Sequence, residues 1–132
     1  MRMILWLMIA GSFLFFILGT ALAKDPGAPK KTPELLTQGK KTFEQACSPC
    51  HGSKGDGKGP AGAVLNPPPT NFTKPLKEWP SAKGDLNKVF EVITKGIPNS
   101  SMIAWPQYSE QERWALAYTA AEFAAPTPKK GK

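Results

Sequence analysis

Residues 47–52 read CSPCHG, and no other stretch restricts this chain as much. Cys47 and Cys50 flank a Ser-Pro pair, and His51, the only histidine of the sequence, follows at once. Three chemistries use such a cluster. A redox dithiol shuttles between thiol and disulfide. A structural zinc site wants four ligands. Covalent haem attachment has C-x-x-C-H as its short signature: both thiols add across the porphyrin vinyl groups, and the adjacent imidazole ligates the iron. The chain holds only two cysteines and one histidine, and no carboxylate stands at a familiar zinc spacing, so zinc is set aside. A dithiol expects strands and a βαβ pattern around it, and neither is visible. The spacing suits haem, because two sulfurs reach neighbouring edges of one flat ring while the next residue presents its imidazole to the centre. A chain built this way must wrap a large apolar plate.

The start of the chain agrees with this. Arg2 precedes a run from Met3 to Ala23 with no charge, ending in Ala21-Leu22-Ala23. A positive start, an apolar stretch and a small-x-small end describe a secretory signal, with Lys24 as first mature residue. The uncharged run is also long enough for a membrane helix, which takes roughly 20 apolar residues. Residues 1–23 therefore read as a signal peptide or an N-terminal anchor, the anchor being a tether through residues 3–23. Both place the rest of the chain in the periplasm or on the outer face of the cytoplasmic membrane. Covalent haem attachment takes place on that side in bacteria. It consumes both cysteines, so no disulfide is expected.

Residues 24–34 (KDPGAPKKTPE) and 126–132 (PTPKKGK) read as a Pro/Lys-rich linker and a basic tail, too polar to build a core. Residues 35–125 remain as one small domain. A domain of this size buries a modest share of its surface, so full folding is expected only around the haem. The net charge is +7, and removing Arg2 with residues 1–23 leaves +6. Such a charge suits encounter with acidic protein surfaces. Nucleic acid is excluded as a partner, since an exported chain does not meet it and no binding motif is present.

The periodicity is helical throughout. LLTQGKKTFEQACSPC runs as a helix into the haem motif, with Leu35, Leu36, Gly39, Phe43 and Ala46 near one face. Gly39 inside a helix costs about 1 kcal/mol against alanine, a sign of close approach by another helix. HGSKGDGKGPAGAVL reads as a flexible loop and NPPPTNF as a stiff extended segment passing along the haem edge. In GDLNKVFEVITKG, Asp85 is the N-cap, Leu86, Val89, Phe90 and Ile93 make one face, and Gly96 ends the helix. In SEQERWALAYTAAEF, Ser109 and Glu112 form a capping box. No strand is expected.

A haem held by His51 has one further axial position, and methionine there closes the iron and raises its potential. Met102 is the only methionine beyond residue 23 and lies in the loop between the last two expected helices. The ordered set of Gly39 and Phe43, CSPCH at 47–51, Gly59-Pro60, GIPNSSM at 96–102 and Ala117-Tyr118 resembles the class I cytochromes c of the small bacterial type. The resemblance covers roughly residues 35–125. It implies an all-α fold, three to four helices wrapped around one covalently bound haem c.

It further implies that Cys47 and Cys50 attach the haem, that His51 is its proximal and Met102 its distal ligand, and that the Pro60 carbonyl accepts the His51 Nδ1 hydrogen. The first and last helices would cross at Gly39 and Phe43 against Leu116–Tyr118. Trp79 or Asn71 would reach a propionate or line the pocket, and Trp105 would pack beside the haem. One departure stands out: many relatives have Met-Pro, whereas here Ile103 follows Met102. The expected function is single-electron transport between redox protein partners with acidic docking surfaces, not an enzyme activity. The alternative is a tethered cytochrome subunit of a larger respiratory or periplasmic oxidoreductase. A haem enzyme or gas sensor ranks last, because the only histidine is already engaged.

Overall fold

The computed structural model describes residues 27–124. The signal or anchor segment 1–23 and the tail 126–132 lie outside the described residues. Within them the chain forms four α-helices, α1 (Pro33–Ala46), α2 (Ser48–His51), α3 (Leu86–Lys95) and α4 (Glu110–Glu122), with 3-10 turns at Gly62–Val64 and Leu76–Glu78. No strand occurs among the described residues. The all-α expectation is met.

The helix ends follow from the local sequence. Thr32 caps α1 by accepting the Leu35 N–H at 3.2 Å, and Pro33 supplies a helical φ where no N–H is needed. The helix thus starts two residues inside the segment read as linker. Asp85 accepts the Asn87 N–H at 2.9 Å and starts α3, which Gly96 ends with a φ of 72°. Ser109 and Glu112 close the expected capping box of α4.

The helix α4 is the centre of the domain. Trp114, Ala115, Leu116, Ala117, Thr119 and Ala120 are all buried, so it lacks a broad polar stripe. The helix α1 crosses one side at Gly39, where an added methyl would overlap the Ala115 carbonyl oxygen and the Thr119 hydroxyl. The crossing is centred on Ala115 and Thr119, beside the expected Leu116–Tyr118 span. On another side Phe90 of α3 stacks on Trp114, with ring centroids 4.3 Å apart. Phe43, Trp79, Val89, Ile93 and Leu116 belong to one core cluster. Burying each such side chain contributes about 1.5–3 kcal/mol.

Part of the linker also docks on α4. The Tyr118 hydroxyl donates to the Pro29 carbonyl at 2.6 Å, and Lys31 pairs with Glu122. Lys31 and Glu122 are well exposed, so this ion pair adds little. Arg113 is anchored by a 2.7 Å bond from Nη1 to the Tyr108 carbonyl and lies over the Phe90 ring.

Candidate haem site

One turn of helix assembles the CSPCH wall. Cys47 ends α1, its N–H bonded to the Phe43 carbonyl at 2.8 Å, and its own carbonyl accepts the His51 N–H at 2.8 Å. Gly52, with a φ of 78°, ends the turn. Cys47, Cys50 and His51 all line one cavity of about 370 Å³. Met102 lines it too, from the loop between α3 and α4. Four of the five haem-site residues singled out from sequence therefore meet at one site.

His51 is held from two sides. Its Nδ1 lies 3.1 Å from the Thr70 carbonyl oxygen, and its ring stacks on Phe72 with centroids 4.4 Å apart. A carbonyl only accepts, so Nδ1 carries the proton and Nε2 keeps its lone pair. This arrangement fixes the tautomer a metal ligand needs. Burial pushes the His51 imidazole below its usual range, and the Thr70 bond opposes this in part. The neutral form that ligates a metal is thus favoured.

The expected role of Pro60 does not hold. Pro60 is exposed and does not line the cavity, and Thr70 takes the position assigned to it. The reason is the path of the loop. Gly57 donates to the His51 carbonyl at 2.7 Å, Gly59 to the Cys50 carbonyl at 3.1 Å and Ala61 to the Pro49 carbonyl at 2.8 Å. These bonds fold the glycine-rich stretch back along α2 and leave Pro60 outside. They also show the stretch as a fastened loop, unlike the flexible one expected. Gly59 leaves no room for a side chain, since an added methyl would overlap the Pro49 carbonyl. The chain then returns through Pro67, Pro68 and Pro69, which line the cavity as the stiff-segment expectation had it, and delivers Thr70.

The environment of Cys47 does not match that of a reactive dithiol. Burial, with a further push from Cys50, raises the Cys47 thiol to about 12. Reactive dithiols need the opposite, a thiol pKa below the ordinary value.

The cavity suits an apolar plate with a few polar groups. Its volume is within the roughly 300–1,000 Å³ range of small-molecule sites. Phe43, Leu65, Trp79, Val89, Ile93 and Leu116 give it apolar walls, and no charged residue lines it. Trp105 also lines it, and its buried Nε1–H has no partner among the described residues. An unpaired buried donor costs about 1–3 kcal/mol, which a carboxylate-bearing occupant would relieve. The two residues expected for that role are placed otherwise. Trp79 Nε1 donates to the Lys74 carbonyl at 2.8 Å, so Trp79 is a packing residue of the wall. Asn71 does not line the cavity, and its Oδ1 accepts from Thr73.

Sequence reasoning missed Thr70, Phe72 and Ser100. The three prolines before Thr70 were the available signal, since they force an extended return toward the site.

A helical shell around an apolar cavity, with two thiols and an imidazole on one turn, defines a c-type cytochrome. The family described as cytochrome C oxidase, cbb3-type, subunit III matches residues 34–118, and the chain belongs to this family. Haem c is the cofactor that this family implies, and Cys47, Cys50 and His51 fit it. Among solved structures, the reducing HAO-like protein complex of Kuenenia stuttgartiensis contains a similar chain, with a TM-score of 0.58 and 30% identity. The match covers 74% of this chain and 44% of that one, so it spans less than half of that relative. No curated protein matches.

Proposed function

We propose that this chain is a mono-haem c-type cytochrome of class I that carries single electrons between redox partners outside the cytoplasm. The observation that carries this reading is the meeting of Cys47, Cys50, His51 and Met102 at one apolar cavity. Bound there, haem c supplies a one-electron ferric–ferrous couple. The protein's own residues do the remaining work. Cys47 and Cys50 bind the group, Thr70 and Phe72 orient His51, and the apolar walls exclude water. Met102 would hold the iron together with His51 and so close the site to exogenous ligands. No bond of a substrate is made or broken, so the reading is a carrier and not an enzyme.

Intact mass of the purified protein tests the stoichiometry. The account expects a chain with one covalently added haem, and a mass without it would contradict the reading. Replacing Met102 by alanine is expected to turn a ferrous protein indifferent to carbon monoxide into one that binds it stoichiometrically. An unchanged ferrous spectrum in the presence of the gas would remove Met102 from the iron.

The net charge of +7 supports acidic docking partners. The cavity lining is uncharged, so the attraction acts through charges elsewhere on the domain. Reduction by an acidic partner is expected to slow on the order of tenfold or more as ionic strength rises past the point where the Debye length is about 10 Å. A rate that stays flat would sink the steering idea.

The relative in a protein complex supports the second reading, a cytochrome subunit fixed in a larger oxidoreductase. The same intact mass separates the two. A mature chain starting at Lys24 favours the free periplasmic carrier, and retention of residues 1–23 favours the tethered subunit. No helix among the described residues is long and apolar enough to cross a membrane.

A further inference from the structure

The loop that carries Met102 is closed by a clasp whose centre is a serine. Ile97 N–H donates to the Met102 carbonyl at 2.8 Å. Inside that closure the Ser100 hydroxyl donates to the Ile97 carbonyl at 2.9 Å and accepts the Met102 N–H at 3.1 Å. One hydroxyl thus serves both strands of the loop, its proton directed to Ile97 and its lone pair to Met102. Ser100 itself lines the cavity and is half-buried.

Covalent restraint near Met102 is slight. Ile103 follows it, and the flanking prolines are Pro98 and Pro106, both four residues away. A proline directly after Met102 would limit the backbone of Met102, but none stands there. The ends of the loop are nevertheless fixed. Gly96 turns with a φ of 72°, and a methyl on it would come within 2.8 Å of the Met102 carbonyl oxygen and the Ala104 nitrogen. Trp105 N–H donates to the Ile93 carbonyl at 3.0 Å and ties the far end to α3. Between these ends, the Ile97 backbone bond and the Ser100 hydroxyl are the restraints that reach Met102.

We propose that Ser100 is the positioning residue of the distal ligand, its hydroxyl holding the 97–102 loop in the form that keeps the Met102 thioether at the cavity. The proposal rests on Met102 being the distal ligand. A preorganised loop lowers the entropy lost when the thioether binds. Without the hydroxyl, Met102 N–H and the Ile97 carbonyl lose a partner and the loop gains alternative forms. Each such bond contributes a factor of roughly 2–12 to an equilibrium, so losing both shifts the balance between bound and released thioether on the order of tenfold or more.

The test uses the full-chain holoprotein with Ser100→Ala, Ser100→Thr and, as a control on an exposed serine that does not line the cavity, Ser53→Ala. Three quantities are read: the weak far-red ferric band of thioether ligation, carbon monoxide uptake by the ferrous form, and thermal loss of helix by circular dichroism. The proposal expects Ser100→Ala to lose the band at a lower temperature than it loses helix, and to take up carbon monoxide at a gas concentration that leaves the wild-type spectrum unchanged. Ser100→Thr, which keeps the hydroxyl, restores both, and Ser53→Ala behaves as wild type. A Ser100→Ala protein with the band and gas uptake of wild type overturns the clasp. So does a band that disappears only together with helix, or a Thr variant that rescues nothing if the Ala variant does not fold. A wild-type protein that itself lacks the band overturns Met102 as ligand and the proposal with it. That outcome is distinct from an intact wild-type band with an indifferent Ser100→Ala.

Discussion

A Cys47→Ser/Cys50→Ser variant is expected to carry no covalently bound haem, and acidified organic solvent should leave its polypeptide colourless where the wild-type chain stays pigmented. The two thiols and His51 come from one helical turn, and all three line the same cavity. Serine keeps the size and the turn but cannot form a thioether, so the variant isolates the attachment chemistry. The structural consequence is large. Without its occupant, the apolar walls of a cavity of about 370 Å³ lose the surface they pack on, and a small domain has a net stability of only about 5–15 kcal/mol. The variant should therefore lose most of its helical circular dichroism as well as its colour. Full helix content in a colourless chain would mean that the shell stands by itself and that haem is not part of the core. Single variants should keep one thioether and remain pigmented.

Replacing Gly39 by valine is expected to destabilise the holoprotein by at least about 3 kcal/mol, the upper part of the usual range for overpacking. At this crossing α1 and α4 meet backbone to backbone. The first added carbon already overlaps the Ala115 carbonyl and the Thr119 hydroxyl. Neither group can swing aside, since Ala115 lies in mid-helix and Thr119 Oγ1 donates to that same Ala115 carbonyl at 2.8 Å. The helices must separate, and Phe43, one turn further along α1, would leave its contacts with Phe72 and Phe123. Phe43 lines the cavity, so the damage reaches the haem pocket. Chemical denaturation followed in the haem absorption checks this. A midpoint within experimental error of wild type would show that the crossing is looser than the structure has it. Gly39→Ala is the milder version, because alanine recovers about 1 kcal/mol of helix propensity.

Much of this architecture was legible before any coordinates. Asp85, Gly96, Ser109 and Glu112 are local signals, each set by residues within one turn, and all four act where the sequence placed them. Gly39 was legible because a glycine in mid-helix needs a reason, and close packing is the commonest one. CSPCH was legible as rare chemistry at a fixed spacing, and Met102 as the only methionine beyond residue 23; the structure brings Cys47, Cys50, His51 and Met102 to one cavity. Thr70 was not, because any residue has a carbonyl, and which carbonyl meets His51 depends on the path of eighteen intervening residues. The Pro60 expectation failed on that point: the loop hydrogen bonds to α2 turn Pro60 outward, and three prolines later the chain comes back. Ser100 was missed for a related reason. A serine in a polar loop looks like solvent-facing filler, and its bridging geometry appears only once the loop has closed on itself. Trp79 lines the cavity, one of its two expected parts, but its indole N–H takes the Lys74 carbonyl five residues away, which no periodicity reveals.

The central claim is that one haem sits in this cavity between His51 and Met102 and exchanges electrons without opening to ligands. An absorption spectrum of the exported wild-type protein, ferric and ferrous, with and without carbon monoxide, tests it most directly. The account predicts a low-spin ferrous spectrum that ignores the gas, together with the weak far-red ferric band of thioether ligation. A ferrous spectrum that shifts on adding carbon monoxide would contradict it, and would place an open or labile coordination site where Met102 is assigned.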